Sequence, residues 1–185
     1  MFNSFPSAIK DGGSNIKSLQ KGSVSATSSS TTTNVTINNV NIDKSIVISN
    51  FNINYDGTSA TANANNILFT SKLSSSNLLV LERGNSVINT IGLNYQVIEF
   101  NNVKSKQSGT TTLLSASTSI TVTISPINIE KHMLVYSVRA TNVATFFVLL
   151  HVGGRVNNAT QLEFIHSNGS ATETMIIEWQ LIEFI

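Results

Sequence analysis

Tyr95-Gln96-Val97-Ile98-Glu99-Phe100 returns as Trp179-Gln180-Leu181-Ile182-Glu183-Phe184. Upstream of this pair, Val35-Thr36-Ile37 and Asn41-Ile42-Asp43-Lys44 return as Val122-Thr123-Ile124 and Asn128-Ile129-Glu130-Lys131. Ile16-Lys17-Ser18-Leu19-Gln20-Lys21-Gly22 returns as Val103-Lys104-Ser105-Lys106-Gln107-Ser108-Gly109. The upstream matches share a spacing of 87 residues and the terminal match a spacing of 84, a net deletion of three in the second copy. Ordered matches at near-constant spacing mark a duplication rather than chance composition.

The repeated hexapeptide also sets the structural class. In an extended strand Tyr95, Val97 and Glu99 share one face, and Gln96, Ile98 and Phe100 the other. Both faces carry large apolar groups, so the strand is expected in the middle of a sheet. One face then lies in the module core and the other meets the sister module or another subunit. Tyr95, Val97, Trp179 and Leu181 are the candidate intermodule or subunit contacts.

Elsewhere the chain shows strand alternation and no window with helical period. Strands are expected near 17–26, 33–40, 45–53, 66–73, 77–82 and 91–100, and near 109–114, 119–125, 132–140, 143–152, 160–166 and 173–184. Arg83-Gly84-Asn85-Ser86 and His166-Ser167-Asn168-Gly169-Ser170 carry turn residues, so each copy is expected to end in a β-hairpin. The fold expected is all-β: two tandem duplicated β-sandwich modules, 16–101 and 102–185, behind an extended N-terminal arm, 1–15. The arm holds Pro6 and a hinge at Asp11-Gly12-Gly13-Ser14, and Phe2, Phe5 and Pro6 are its candidate anchor residues.

Charge narrows the partners. Lys and Arg number 11 against 10 Asp and Glu, so no field is present to hold nucleic acid or an anionic membrane. Charged residues make up 11% of the chain, less than half the usual share, and the surface must be covered by Ser, Thr and Asn. Such a surface suits packing into a larger assembly. Cysteine is absent, which removes disulfide and thiolate chemistry and fits folding in a reducing cytoplasm. The N-terminus lacks a basic region followed by an apolar one, so no signal peptide is expected. No apolar run reaches the length of a membrane span, so no insertion is expected.

Motifs that carry chemistry are few in the sequence. Gly-rich phosphate loops and nucleophile elbows are missing. His132, His151 and His166 are not spaced as metal ligands, and His166 reads as a polar turn residue. Glu99 and Glu183 repeat at equivalent positions, a module apart, not at the about 5–10 Å a glycosidase pair needs. They read as strand-end carboxylates satisfied by a lysine or a backbone N–H. Catalytic, cofactor-binding and metal-binding residues are therefore expected to be none, and the chain is not expected to be an enzyme. Asn34-Val35-Thr36, Asn158-Ala159-Thr160 and Asn168-Gly169-Ser170 match the glycosylation pattern, which arises readily in so Asn-, Ser- and Thr-rich a chain. Phe51, Tyr55 and Tyr136 fit a core or an interface as readily as a glycan-binding face.

The ordered motifs resemble a module of bacteriophage and prophage virion proteins. There the pattern runs Ile-Lys-Ser-Ile-Gln-Arg-Gly, Thr-Val-Thr-Ile, Val-Asp-x-x-Lys-Ser and Val-x-Val-Ile-Glu-Phe. The resemblance covers nearly all of 16–185, in two copies, and the second copy departs from it at Lys106 and Ser108. It implies a virion structural protein of tail or fibre type, assembled in the host cytoplasm. The implied partners are other virion proteins and further copies of the chain, with a trimer favoured. A host-receptor or glycan-binding adhesion module, with recognition loops near 52–66 and 138–142, and a capsid decoration or head-fibre protein are the alternatives.

Overall fold

The structure, a computed structural model, describes residues 15–27, 30–52, 68–85, 91–141, 152–166 and 174–185. Nearly the whole expected arm, with Phe2, Phe5 and Pro6, lies outside these residues, as do Tyr55, His151 and most of the recognition loop at 52–66.

The first copy forms β1 (Ile16–Ala26), β2 (Thr32–Thr36), β3 (Ser45–Asn52), β4 (Phe69–Ser75), β5 (Leu78–Arg83) and β6 (Ile91–Phe100). The second forms β7 (Val103–Leu113), β8 (Ser119–Thr123), β9 (His132–Ala140), β10 (Val152–Asn158), β11 (Gln161–His166) and β12 (Met175–Phe184). A 3₁₀ turn at Ile42–Lys44 is the sole helical element among the described residues. Among the described residues, each copy builds two three-stranded antiparallel sheets of the same order: β1-β6-β3 with β2-β5-β4, and β7-β12-β9 with β10-β11-β8. The two sheets of each copy enclose one core. Val47, Leu79, Leu81, Leu93 and Val97 meet in the first, and Leu113, Leu162, Phe164, Ile177 and Leu181 in the second. The chain is thus all-β and the duplication is structural.

The repeated hexapeptides are the middle strands of their sheets, as their two apolar faces require. Their equivalence extends to packing. Tyr95 lies opposite Gly22 on β1, and Trp179 opposite Gly109 on β7. A Cβ at Gly22 would come within 2.3 Å of the Tyr95 hydroxyl, and one at Gly109 within 2.8 Å of Trp179 Cζ2. Each ring therefore lies flat over a residue that must have no side chain, which explains why a glycine closes the first repeated motif.

The remaining motif residues converge on Glu99 and Glu183. Glu99 accepts from Lys17 Nζ at 2.8 Å, Ser18 Oγ at 3.3 Å and the Asn41 N–H at 3.3 Å. Glu183 accepts from Lys104 Nζ at 2.8 Å, Ser105 Oγ at 3.1 Å and the Asn128 N–H at 2.9 Å. Both carboxylates are buried strand-end groups tied to a lysine and a backbone N–H, as read from sequence. Burial opposes the charge of Glu99, but the Lys17, Asn41 and Ser18 bonds hold its pKa below the ordinary 4.5. For Glu183 the Lys104 and Asn128 bonds outweigh burial, with the same result. Between the lowered folded values and 4.5 the unfolded chain binds more protons, so stability contributed above 4.5 is lost as pH falls through the folded values. Urea midpoints should fall below that pH, and Glu183→Gln should be less stable at neutral pH with a shallower acid limb.

Three expectations are corrected. The copies do not end in hairpins: β5 pairs with β2 and β4, while β6 crosses to the opposite sheet and pairs with β1 and β3. Among the described residues, the tight hairpins are β4–β5 and β10–β11, joined at Ser76-Asn77 and Ala159-Thr160. The first strand of the second copy begins at Val103, not near 109, because β12 supplies a full ladder along it. His166 is the buried last residue of β11, opposite Val152, rather than a turn residue. The strand expected at 143–152 falls mostly outside the described residues, and β10 runs from Val152 to Asn158.

Candidate functional site

The expected contacts Tyr95, Val97, Trp179 and Leu181 all pack into the cores of their own modules. The module joint uses the alternate residues of the same strands. Ile98 and Phe100 of β6 meet Ile182 and Phe184 of β12 in a third apolar cluster, with Ile46, Val103, Met133 and Val135. Phe100 and Phe184, equivalent residues of the two copies, pack edge to face at 5.3 Å between centroids.

Above this cluster the joint is polar and asymmetric. β3 is an edge strand, and its Val47 backbone points away from β6. The Gln180 amide takes both groups: Oε1 accepts from the Val47 N–H at 2.9 Å, and Nε2 donates to the Val47 carbonyl at 3.1 Å. Gln180 thus does for β3 what another strand would do, and an open edge is closed without a ladder. The neighbouring edge, β4, is closed by Ser137 Oγ, which accepts from the Ser71 N–H at 2.9 Å. Lys72 reaches Glu178 at 3.2 Å, and Arg139 bonds both Thr70 and Glu82. Burial raises the Glu82 pKa, but Arg139 and then Lys72 bring it below the ordinary carboxylate value.

Lys106, where the second copy departs from the first, belongs to this joint. Its Nζ donates to the Ile42 carbonyl of the first module at 2.7 Å. Burial there lowers its pKa from 10.5 to about 8, against a smaller upward pull from Asp43. Between those two values the unfolded chain holds more protons, so stability rises with pH over the interval. Urea titrations should show this rise in the wild type and lose it in Lys106→Met.

The same face of the first module is open, among the described residues, at the end beyond Ile98 and Phe100. Gln96 and Ile48 stand where Gln180 and Val135 stand in the second module, yet Gln96 is exposed and Ile48 is 38% exposed. Leu19, the counterpart of Lys106, is 44% exposed on this face. A shallow depression here is lined by Lys21, Gly22, Ser23, Ile48, Asn94 and Gln96.

Signs of chemistry are few. Among the described residues, no three His, Asp or Glu side chains gather as metal ligands. His132 Nδ1 lies 2.7 Å from the Ile129 carbonyl. Tyr136, considered for a surface role, is a core residue: its hydroxyl donates to the Val152 carbonyl and accepts from the Gly154 N–H, and its ring meets Phe164 edge to face. Phe51 is 38% exposed. No helix among the described residues is long and apolar enough to cross a membrane.

Sequence reasoning missed Gln180, Ser137, Glu178 and Arg139 as joint residues. The available signal was divergence between the copies on the outward face, as at Leu19 and Lys106 or Asn94 and Glu178. No family model matches the chain, and no curated protein or solved structure matches it significantly.

Proposed function

We propose that the chain is a non-enzymatic structural protein of a bacteriophage virion, a tail or fibre-type appendage component attached through its N-terminal arm. The ordered motif pattern supports this reading. The observation that carries it is where those motif residues go. Lys17, Ser18, Asn41 and Glu99, with Lys104, Ser105, Asn128 and Glu183, bond one another inside their modules. Motif residues spent on holding the modules together mark a building block rather than a reactive site. The joint adds to this, because it ties two such blocks through buried hydrogen bonds rather than leaving them as beads on a linker.

The test is the composition of purified particles from the phage or prophage encoding the chain. Its peptides should be found by mass spectrometry in those particles, and gold-labelled antibody should decorate an appendage. Presence in the lysate with absence from particles would sink the reading. Deleting residues 1–15 should abolish incorporation while leaving both modules folded; unchanged incorporation would remove the anchoring role.

A further inference from the structure

Within one chain, a face of the second module receives the β3 edge of the first, while the Gln96 end of the matching face of the first module, beyond the joint residues Ile98 and Phe100, has no occupant among the described residues. We propose that this open face is a docking surface for a second copy of the chain, which lays its β9 edge across Gln96 as β3 lies across Gln180.

The duplication supplies both halves of the contact. Gln96 occupies on β6 the place of Gln180 on β12, between Lys21 on β1 and Ile48 on β3 as Gln180 lies between Ser108 and Val135. On the donor side, Leu134 lies opposite Leu181 as Val47 lies opposite Val97. Its N–H and carbonyl therefore point away from β12, as those of Val47 point away from β6. In the first copy, engagement of the β3 edge leaves Gln96 and Ile48 exposed. Ile48 and Leu19 add exposed apolar area on either side of Gln96. A formal charge of +1 leaves little repulsion between copies.

The contact between chains is weaker than the one within. Ile182 is already buried against the first module of its own chain, so the apolar base of the joint is not available again. Gly154, in the place of Ser71, already has its N–H bonded by Tyr136. The association therefore depends on concentration. It is heterologous, and closes into a ring or runs on as a filament according to the rotation per step. The inference rests on the repeat and not on the virion reading.

Light scattering of the full chain from micromolar to millimolar concentration should show mass rising above the monomer. Gln96→Arg and Ile48→Glu each replace an exposed residue. They should weaken this association at least about tenfold at an unchanged melting temperature. A photoreactive benzoylphenylalanine at position 96, in a mixture of ¹⁴N and ¹⁵N chains, should give cross-chain products within His132–Ala140. A monomer throughout, association indifferent to both substitutions, or cross-chain products confined to other strands would each overturn the proposal. A protein that is monomeric yet present in particles would sink this inference and leave the virion reading standing.

Discussion

Trp179→Ala should destabilise the chain by about 3–5 kcal/mol, the range for removing a large aromatic from a packed core. The ring is 7% exposed and packs with Leu113, Ile177 and Leu181 in the second module. It also covers Gly109, so its loss uncovers a stretch of β7 backbone that no side chain can refill. The matched substitution Tyr95→Ala should cost less, because Tyr95 is only half-buried over Gly22. Urea denaturation of both variants measures the difference. A loss under about 0.5 kcal/mol for Trp179→Ala, the range of surface substitutions, would place the ring outside the core.

Gln180→Leu should cost about 2–4 kcal/mol. The substitution keeps the volume but leaves the Val47 N–H and carbonyl unpaired in a buried joint, at about 1–3 kcal/mol for each group. The same change at the equivalent exposed residue, Gln96→Leu, should stay within about 0.5 kcal/mol. The contrast isolates the joint, because the two glutamines hold equivalent positions on the middle strands of their sheets. Equal small effects would mean that Gln180 does not hold the β3 edge.

Much of the fold is legible in the sequence, for reasons that specific residues show. The duplication is carried by residues that cannot vary freely. Gly22 and Gly109 lie under rings, and Glu99 and Glu183 each gather three donors. Alternation placed the two hexapeptides at sheet centres because both strand faces are apolar. That same property hid which face meets the sister module: Tyr95, Val97, Trp179 and Leu181 are no less apolar than Ile98, Phe100, Ile182 and Phe184. Gln180 gave no hydrophobic signal at all, since its role is to satisfy a distant backbone.

The start of β7 was obscured for a related reason. Lys106 and Ser108 interrupt the alternation there, and Lys106 finds its partner in the first module, at Ile42, a long-range contact that local pattern cannot show. Turn residues such as Gly84 and Asn85 signal that the chain reverses, but not which sheet it re-enters. The expected hairpins were therefore replaced by crossovers from one sheet of the sandwich to the other.

The two copies are joined where Gln180 closes the β3 edge. Amide hydrogen exchange at Val47 reads the state of that edge. Val47 lies on an edge strand with its N–H turned away from β6, so without the joint it would exchange as an open edge does. Strong protection of the Val47 amide is expected in the wild type, comparable to that of the central β6 amides and lost in Gln180→Leu. Rapid exchange of Val47 in the wild type would mean that the β3 edge is open and that Gln180 does not join the two copies.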